Sequence, residues 1–334
     1  MLKPWKRPEN PIVFQFTHPG DEHGNYYKLK DTKIQFKLWN TQKNDATSST
    51  HKRKYLCNKG AYIAKNKSIQ DASLCFWGEW EPDSIAIPFE STDGNNDHLP
   101  KYCNIPFYFP IKEKYESSKS KLDKRICDLK NDLVKKVDSG YYYQNTDPFV
   151  YGTEFRYATI CKPYETLNMK EGSVILFGST KEYDGQEKFR VDTVFVVKEI
   201  KDIKDYKKDK SSVHYNASLK FIDDNDGYDH KMFIGATPEN SVNGMFSFIP
   251  ASVDSGDQKP RKKMLVIDSD FKYYDDVLNT VNWQGHVVCE DGVKEFWDSL
   301  LDYTFDKGYV PAVRIDMPPI FDSIDDLSNW ISSV

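Results

Sequence analysis

Two runs of β-branched and aromatic residues in the middle of the chain constrain its fold more than any other feature. They cover residues 172–179 and 189–198, and a charged turn at Asp184-Gly185 separates them. Short apolar runs with glycine nearby are typical of neighbouring strands. Just before them, residues 145–157 mix glycine with aromatic side chains. Together these segments predict a small, partly closed barrel with a pocket at its mouth.

Helical periodicity occurs in two other places. Between 112 and 137 apolar residues recur every three or four positions, and Gly140 follows as a candidate C-cap. A second helix is predicted from Val293 to about Phe305, ending at Gly308. We therefore predict an α+β fold, in which a twisted, partly closed β-sheet with packed helices precedes a more helical C-terminal portion.

Changes in composition divide the chain into three predicted parts. Residues 1–200 form a β-rich, pocket-bearing domain that includes the 112–137 helix. Residues 201–260 hold a lysine- and aspartate-rich surface excursion followed by strands, and 261–334 form an α/β C-terminal portion.

The charge balance limits contact with nucleic acid to local surfaces. The chain has 46 lysines and arginines against 51 aspartates and glutamates, a formal net charge of −5, so it presents no general field that attracts phosphate. Two basic clusters are the candidate phosphate contacts, with an ordinary solvated face as the alternative for each. They are Lys52, Arg53 and Lys54, and Arg261, Lys262 and Lys263.

The six cysteines include no Cys-x-x-Cys pair, and no apolar stretch approaches the roughly 18 residues needed to span a bilayer. The chain also begins without an apolar signal segment. We therefore expect a reduced, cytoplasmic protein that has no membrane partner, metal or cofactor. The oligomeric state is not predicted.

A glycine-flanked turn provides the best local cluster for acid or base chemistry. It contains His18, Asp21, Glu22 and His23 within six residues. Imidazole and carboxylate groups suit zinc, iron or manganese, but this spacing matches no helical His pair and no closed four-ligand pattern. The alternative is a solvated turn.

A second candidate site combines indole rings with carboxylates. Trp77, Glu79 and Trp80 follow one another closely in the chain. A carboxylate beside an indole could hold the edge of a base or a sugar while the ring stacks on its face. The alternative is that one tryptophan is buried, the other lies at a strand edge, and the acids face water.

The tripeptide Asp147-Pro148-Phe149 resembles the water-activating loop of uracil-DNA glycosylases, in which the acid positions a hydrolytic water near the sugar of a flipped nucleotide. The residues that flank this loop in that family differ here. Asp147 as a helix N-cap before proline is the alternative. The chain contains no phosphate-binding glycine loop and no nucleophile elbow.

The strand runs carry a wider resemblance. Gly-Ser-Val-Ile-Leu-Phe-Gly-Ser at 172–179, followed by Val-Asp-Thr-Val at 191–194, resembles bacterial nucleotide-modification-associated proteins found among phage-defence genes. It is similar, more distantly, to PUA-like barrels of the ASCH and EVE classes, which hold a flipped or modified base in an aromatic pocket. The resemblance implies that an altered base is recognised or processed. The implied pocket walls are Trp77, Trp80, Tyr151, Phe155 and Tyr157.

These observations predict a protein that binds nucleic acid through a pocket for an extruded base, in the setting of phage defence. DNA with modified bases is the expected partner. One alternative is a hydrolase that excises a base, using Asp147 or the turn from His18 to His23. Another alternative is a scaffold of a defence complex whose aromatic residues form a protein interface.

Overall fold

A computed structural model gives the fold. It describes residues 10–17, 22, 27–28, 35–37, 53–80, 83–89, 100–108, 148–158, 169–183, 186–203, 231–254, 264–278, 286–321 and 324–333. The helix predicted over 112–137 lies outside the described residues.

The described residues form fifteen strands and three helices, and the strands build two sheets. In chain order the strands are β1 (Val13–Thr17), β2 (Tyr27–Lys28), β3 (Gln35–Lys37), β4 (Lys54–Ile63), β5 (Ile69–Gly78), β6 (Asp83–Pro88), β7 (Tyr102–Phe107), β8 (Arg156–Ala158), β9 (Val174–Tyr183), β10 (Gln186–Asp202), β11 (Lys231–Gly235), β12 (Ile249–Val253), β13 (Val266–Ile267), β14 (His286–Cys289) and β15 (Val310–Ile315). The helices are α1 (Tyr274–Leu278), α2 (Val293–Asp306) and α3 (Ile324–Ser333).

The first sheet has the order β14-β1-β9-β10-β11-β8, and β13 also pairs with β10. Strands β9 and β10 are the two runs that the sequence predicts as neighbours, and they pair antiparallel. Their apolar runs are continuous because both faces of this sheet are buried. Ile175 and Phe177 pack into the core on one side, whereas Val174 and Leu176 pack into a second core on the other.

The second sheet contains a closed four-stranded antiparallel barrel. Its order is β15-β12-β5-β4-β7-β6-β3-β2, and β15 also pairs with β4 to complete the ring β4-β5-β12-β15. Closure requires a glycine in β4, because a Cβ at Gly60 would lie 2.2 Å from the carbonyl oxygen of Arg314. The structure therefore contains a small closed barrel, with further strands added to β4 through β7. The runs from which the sequence predicts a barrel, β9 and β10, lie instead in the first sheet.

The C-terminal elements complete both cores. Helix α2 buries Phe296, Trp297 and Leu300 in the second core, which also contains Val174 and Leu176 of β9. The predicted second helix is therefore confirmed, and Gly308, at a φ of 82°, follows its end. Residues 264–333 also contribute β13 and β14 to the first sheet and β15 to the barrel. The three-part division and a more helical C-terminal portion stay predictions.

Candidate functional site

An open groove lies beside residues 153 and 154, which connect two of the predicted pocket residues, Tyr151 and Phe155. Its volume is about 530 Å³, within the usual range for small-ligand sites of roughly 300–1,000 Å³. Thr153 and Glu154 line it from the loop before β8, and Lys198 and Glu199 line it from β10. Further polar lining comes from Glu171, Thr237, Glu239 and Asn240. The lining charges are thus four carboxylates and one ammonium group.

Ion pairs orient several of these carboxylates. Lys198 Nζ lies 3.0 Å from a Glu171 carboxylate oxygen, and an Arg156 guanidinium nitrogen lies 3.2 Å from Glu154. These side chains are partly exposed, so the pairs contribute little to stability. Lys201 Nζ likewise lies 3.0 Å from a Glu199 carboxylate oxygen. Three of the four carboxylates are therefore ion-paired, and each keeps further lone pairs that can accept hydrogen bonds.

The groove adjoins a buried cluster of aromatic residues. The backbone N–H of Gly235, a lining residue, donates to the carbonyl of Phe155 at 2.8 Å. Phe155 is 2% exposed and belongs to the core between the two sheets. The same core contains three other predicted wall residues, Trp80, Tyr151 and Tyr157. The structure thus brings four of the five predicted aromatic residues into one core.

This aromatic core contains polar atoms that are not satisfied within the described part of the chain. The indole Nε1 of Trp80 and the hydroxyl of Tyr151 have no hydrogen-bond partner among the residues described. Burial raises the pKa of the Tyr151 hydroxyl, so the group stays protonated at neutral pH and can act as a donor. Trp80 also packs edge-on against Phe76, with ring centroids 5.4 Å apart.

Trp77 lies apart from the other predicted aromatic residues. It pairs with Tyr55 across β4 and β5, and these two residues share a cluster with Cys75 and Met264. The guanidinium carbon of Arg190 lies 5.2 Å from the centre of the Trp77 ring. Because Trp77 and Trp80 belong to different clusters, they do not form one binding wall.

A buried ion-pair cluster joins the two sheets beside Trp77. Arg53, immediately before β4, donates from Nε to Asp192 at 2.9 Å and from another guanidinium nitrogen to the Gly178 carbonyl at 2.8 Å. Its third nitrogen lies 3.8 Å from Glu79. Asp192 sits at an irregularity in the β9–β10 pairing, between Val191 and Thr193. Burial raises the pKa of Asp192, and the adjacent Arg53 opposes that rise.

Three residues at this place are buried, although the sequence predicts two of them as phosphate contacts and one as a ligand contact. Arg53 and Lys54 are 1% and 0% exposed, and Glu79 is 4% exposed. Contacts to a nucleic-acid backbone need accessible cations, and the charges of Arg53 and Lys54 are not presented at the surface here. Arg53 instead serves as an interior link between the sheets.

Glu22 is the one predicted acid–base residue within the described residues. Its carboxylate accepts hydrogen bonds from the backbone N–H groups of Lys101, at 2.9 and 3.0 Å, and Tyr102, at 3.2 Å. The carboxylate therefore satisfies backbone donors at the start of β7. The other predicted residues lie outside the described residues. They are His18, Asp21, His23 and Asp147 among the acid–base candidates, and Lys52, Arg261, Lys262 and Lys263 among the phosphate contacts.

Sequence reasoning missed a group of three cysteines. The Sγ atoms of Cys57, Cys75 and Cys103 all lie within 4.8 Å of one another. They are separated by 18 and 28 residues in sequence, so no short motif contains them. The available signal was strand alternation, which puts Cys57 on one face with Tyr55 and Cys75 on one face with Trp77.

None of the helices in the described ranges combines the length and apolar character needed to cross a membrane. No family model, no curated protein and no solved structure matches the chain.

Proposed function

We propose that the protein binds nucleic acid by accepting an extruded, modified base in the groove beside Phe155. The observation that carries the proposal is the position and lining of this groove. It opens between β10 and residues 153–154, which lie in the chain between the predicted wall residues Tyr151 and Phe155, and four of its ten lining residues are glutamates. The setting in phage defence is proposed from the resemblance of the strand runs alone.

The lining favours one class of base. Carboxylate oxygens accept hydrogen bonds from the exocyclic amines of cytosine and adenine, whereas thymine-type bases present a carbonyl at the equivalent position. Glu154, Glu199 and Glu239 supply such acceptors, and Thr153 and Asn240 supply groups that both donate and accept. The preferred ligand is therefore a modified base that carries an exocyclic amine, which cytosine, adenine and guanine have and thymine-type bases lack.

The same lining keeps the phosphate backbone outside. Four carboxylates and one ammonium group make the groove unfavourable for phosphate oxygens. Backbone contacts must come from cations elsewhere, and the candidates are Lys52 and residues 261–263. With few such cations, binding should depend only weakly on salt.

Binding can be tested with fluorescently labelled single-stranded oligonucleotides that each contain one modified base. We expect bases with an exocyclic amine, such as 5-methylcytosine and N6-methyladenine, to bind more tightly than 5-hydroxymethyluracil. A good base contact contributes about 1–3 kcal/mol of discrimination, which corresponds to roughly 5- to 150-fold in affinity. Equal anisotropy titrations for all the bases would contradict base recognition by the carboxylates.

A variant that fills the groove identifies the site. Thr153 is exposed and lines the groove, so Thr153→Trp should weaken binding at least about tenfold by steric exclusion. Asp302→Trp places the same ring on an exposed position of α2 and should leave affinity unchanged. Binding unaffected by Thr153→Trp would remove the groove from the proposal.

The same oligonucleotides separate a reader from a hydrolase. A reader leaves the strand intact, whereas excision of the base leaves an abasic site that breaks in alkali. If such breaks form, Asp147→Asn should abolish them, because a general base or water-positioning carboxylate contributes about 10²–10⁴-fold. A protein that neither binds nor cleaves any of these strands would leave the scaffold alternative.

A further inference from the structure

The three-cysteine cluster lies on the face of the second sheet that carries Tyr55 and Trp77. Cys57 is in β4, and it lies between Cys75 of β5 and Cys103 of β7. The Cα–Cα distances are 4.2 Å from Cys57 to Cys75 and 6.4 Å to Cys103. Three neighbouring strands therefore each contribute one sulfur to the same point.

A single disulfide does not account for this arrangement. A sulfur atom forms one disulfide bond at a time, yet Cys57 lies against both Cys75 and Cys103. Any one bond would leave a third sulfur beside it in a site where Cys75 is 1% exposed. Three convergent sulfurs match the ligand requirement of a thiophilic metal ion better than that of a disulfide.

The surroundings suit a soft cation. Tyr55, Cys75, Trp77 and Met264 pack together, with Cys57 and Phe89 against them. Thiolates in such an apolar setting need a compensating positive charge. The Arg190 guanidinium also packs on this cluster, because one of its nitrogens lies 3.6 Å from the Met264 sulfur and the group covers the Trp77 ring.

We propose that Cys57, Cys75 and Cys103 form a three-thiolate site for a thiophilic d¹⁰ cation, Zn²⁺ or Cu⁺. Thiolates are preferred ligands of both ions, and the three Sγ atoms all lie within 4.8 Å of one another. Thiolate and thioether donors together suit Cu⁺, and Met264 is the thioether in this cluster. Zn²⁺ requires a fourth ligand. This site is independent of the base-binding groove.

The test uses the full-length protein, reduced and kept free of oxygen. Zn²⁺ and Cu⁺ are titrated separately against a chromophoric chelator, and we expect one equivalent of at least one of these ions to be taken from the chelator. Cys103→Ser should weaken that binding by at least about 100-fold, because loss of a direct ligand exceeds the 10- to 100-fold effect of changing a residue that only supports a ligand. A disulfide between Cys57 and Cys75 alone would not need Cys103.

Cys289→Ser is the matched control. Cys289 is a free cysteine in β14, and burial raises its pKa to about 11, so it is a poor source of thiolate. Its replacement should leave metal affinity unchanged. If Cys289→Ser weakens binding as much as Cys103→Ser does, the assignment of the site is wrong.

A measurement on the wild-type protein covers the case in which Cys103→Ser fails to fold. Alkylation of each cysteine is followed by peptide mass spectrometry with and without the bound ion. Metal binding should slow the modification of Cys57, Cys75 and Cys103 at least about tenfold and leave Cys289 unaffected. The proposal is overturned if neither ion binds, or if these three cysteines react equally fast with and without metal.

Discussion

Where residues 54–57 pair with residues 75–78, both faces of the strand pair β4 and β5 are largely buried, but they stabilise the protein in different ways. The inner face presents Leu56, Leu74 and Phe76 to the core between the sheets. The opposite face presents Arg53 and Glu79 at one end and Cys57 and Cys75 at the other, with Tyr55 and Trp77 between them. We call this the polar face.

The two faces differ in how strongly the contribution of one residue to the free energy of unfolding depends on one specific partner residue. Apolar contacts on the inner face are numerous and non-directional, so each residue contributes in proportion to its buried area. On the polar face a charge is tolerated only while its counter-charge is present. Substitutions on the inner face should therefore lower the free energy of unfolding in proportion to the buried area that is lost. On the polar face, removing one partner of an ion pair should lower it, and removing the other partner as well should restore part of the loss.

The largest effect is expected for Arg53→Met. This change leaves Asp192 buried without the guanidinium that contacts it at 2.9 Å, and removing one partner of a buried pair costs about 3–5 kcal/mol. The double variant Arg53→Met/Asp192→Asn should recover part of the loss, because the charge of Asp192 is removed as well, while the buried Glu79 still lacks Arg53. Denaturant unfolding at pH 7 measures all three free energies.

The control for this prediction is an exposed ion pair on the neighbouring strand β5. Asp71 lies in the exposed half of β5 and pairs with Arg314, so Asp71→Asn should change the free energy of unfolding by less than about 1 kcal/mol. A double variant less stable than Arg53→Met would show that the polar face does not depend on charge matching.

The next effect tests the inner face. Leu74 is fully buried, so Leu74→Ala should reduce the free energy of unfolding by about 2–5 kcal/mol through lost contacts and the cavity left behind. No second substitution on the polar face should restore this loss. The adjacent Ser73 is exposed, and Ser73→Ala should stay within about 0.5 kcal/mol. Restoration of the Leu74→Ala loss by a substitution on the polar face would remove the distinction between the faces.

The smallest expected effect is a pH dependence that only the polar face produces. Burial raises the pKa of Asp192 above its ordinary value of 3.8. The folded state therefore holds a proton that the unfolded state has lost, and stability falls as pH rises from about 4 through the folded-state pKa. A tenfold difference in the acid dissociation constant between the folded and unfolded states corresponds to about 1.4 kcal/mol.

The measurement is the free energy of unfolding from pH 4 to 8 for the wild type and for Asp192→Asn. Subtracting the two curves cancels the opposite contribution of Asp268, whose pKa is lowered by Lys307 and neighbouring donors despite its partial burial. The difference should decline with rising pH. A flat or rising difference would mean that Asp192 ionises in the fold as readily as in the unfolded chain.

The sequence predicts the local structure of several segments correctly, whereas its functional assignments stay predictions. Strands β9 and β10 were found because their apolar runs are long, and α2 because its buried residues follow a helical period. The aromatic residues near Tyr151 and Phe155 were recognised as a group because they are close in sequence. Each of these signals lies within one short segment, so it can be recognised without knowledge of the fold.

The features that were missed depend on pairing between distant segments. The convergence of Cys57 and Cys103 requires the parallel pairing of β4 with β7, in which Tyr55 faces Cys103. The burial of Arg53 requires Asp192, 139 residues further along the chain. A charge run looks the same in sequence whether it is solvated or enclosed, so the basic cluster at Lys52, Arg53 and Lys54 could not reveal its interior partner.

The ring of four barrel strands also sets the order of events during synthesis. β4 and β5 emerge early and can pair as a hairpin, but β15, at residues 310–315, supplies the last side of the ring. Until it arrives, β4 and β12 each keep an unpaired edge, which is a template for pairing with other chains. A ribosome that adds about 5–20 residues per second needs on the order of 10–50 s to synthesise the chain from the end of β5 to the end of β15. The nascent chain therefore carries open strand edges for most of its synthesis, and shielding of those edges becomes a requirement for its yield in the cell.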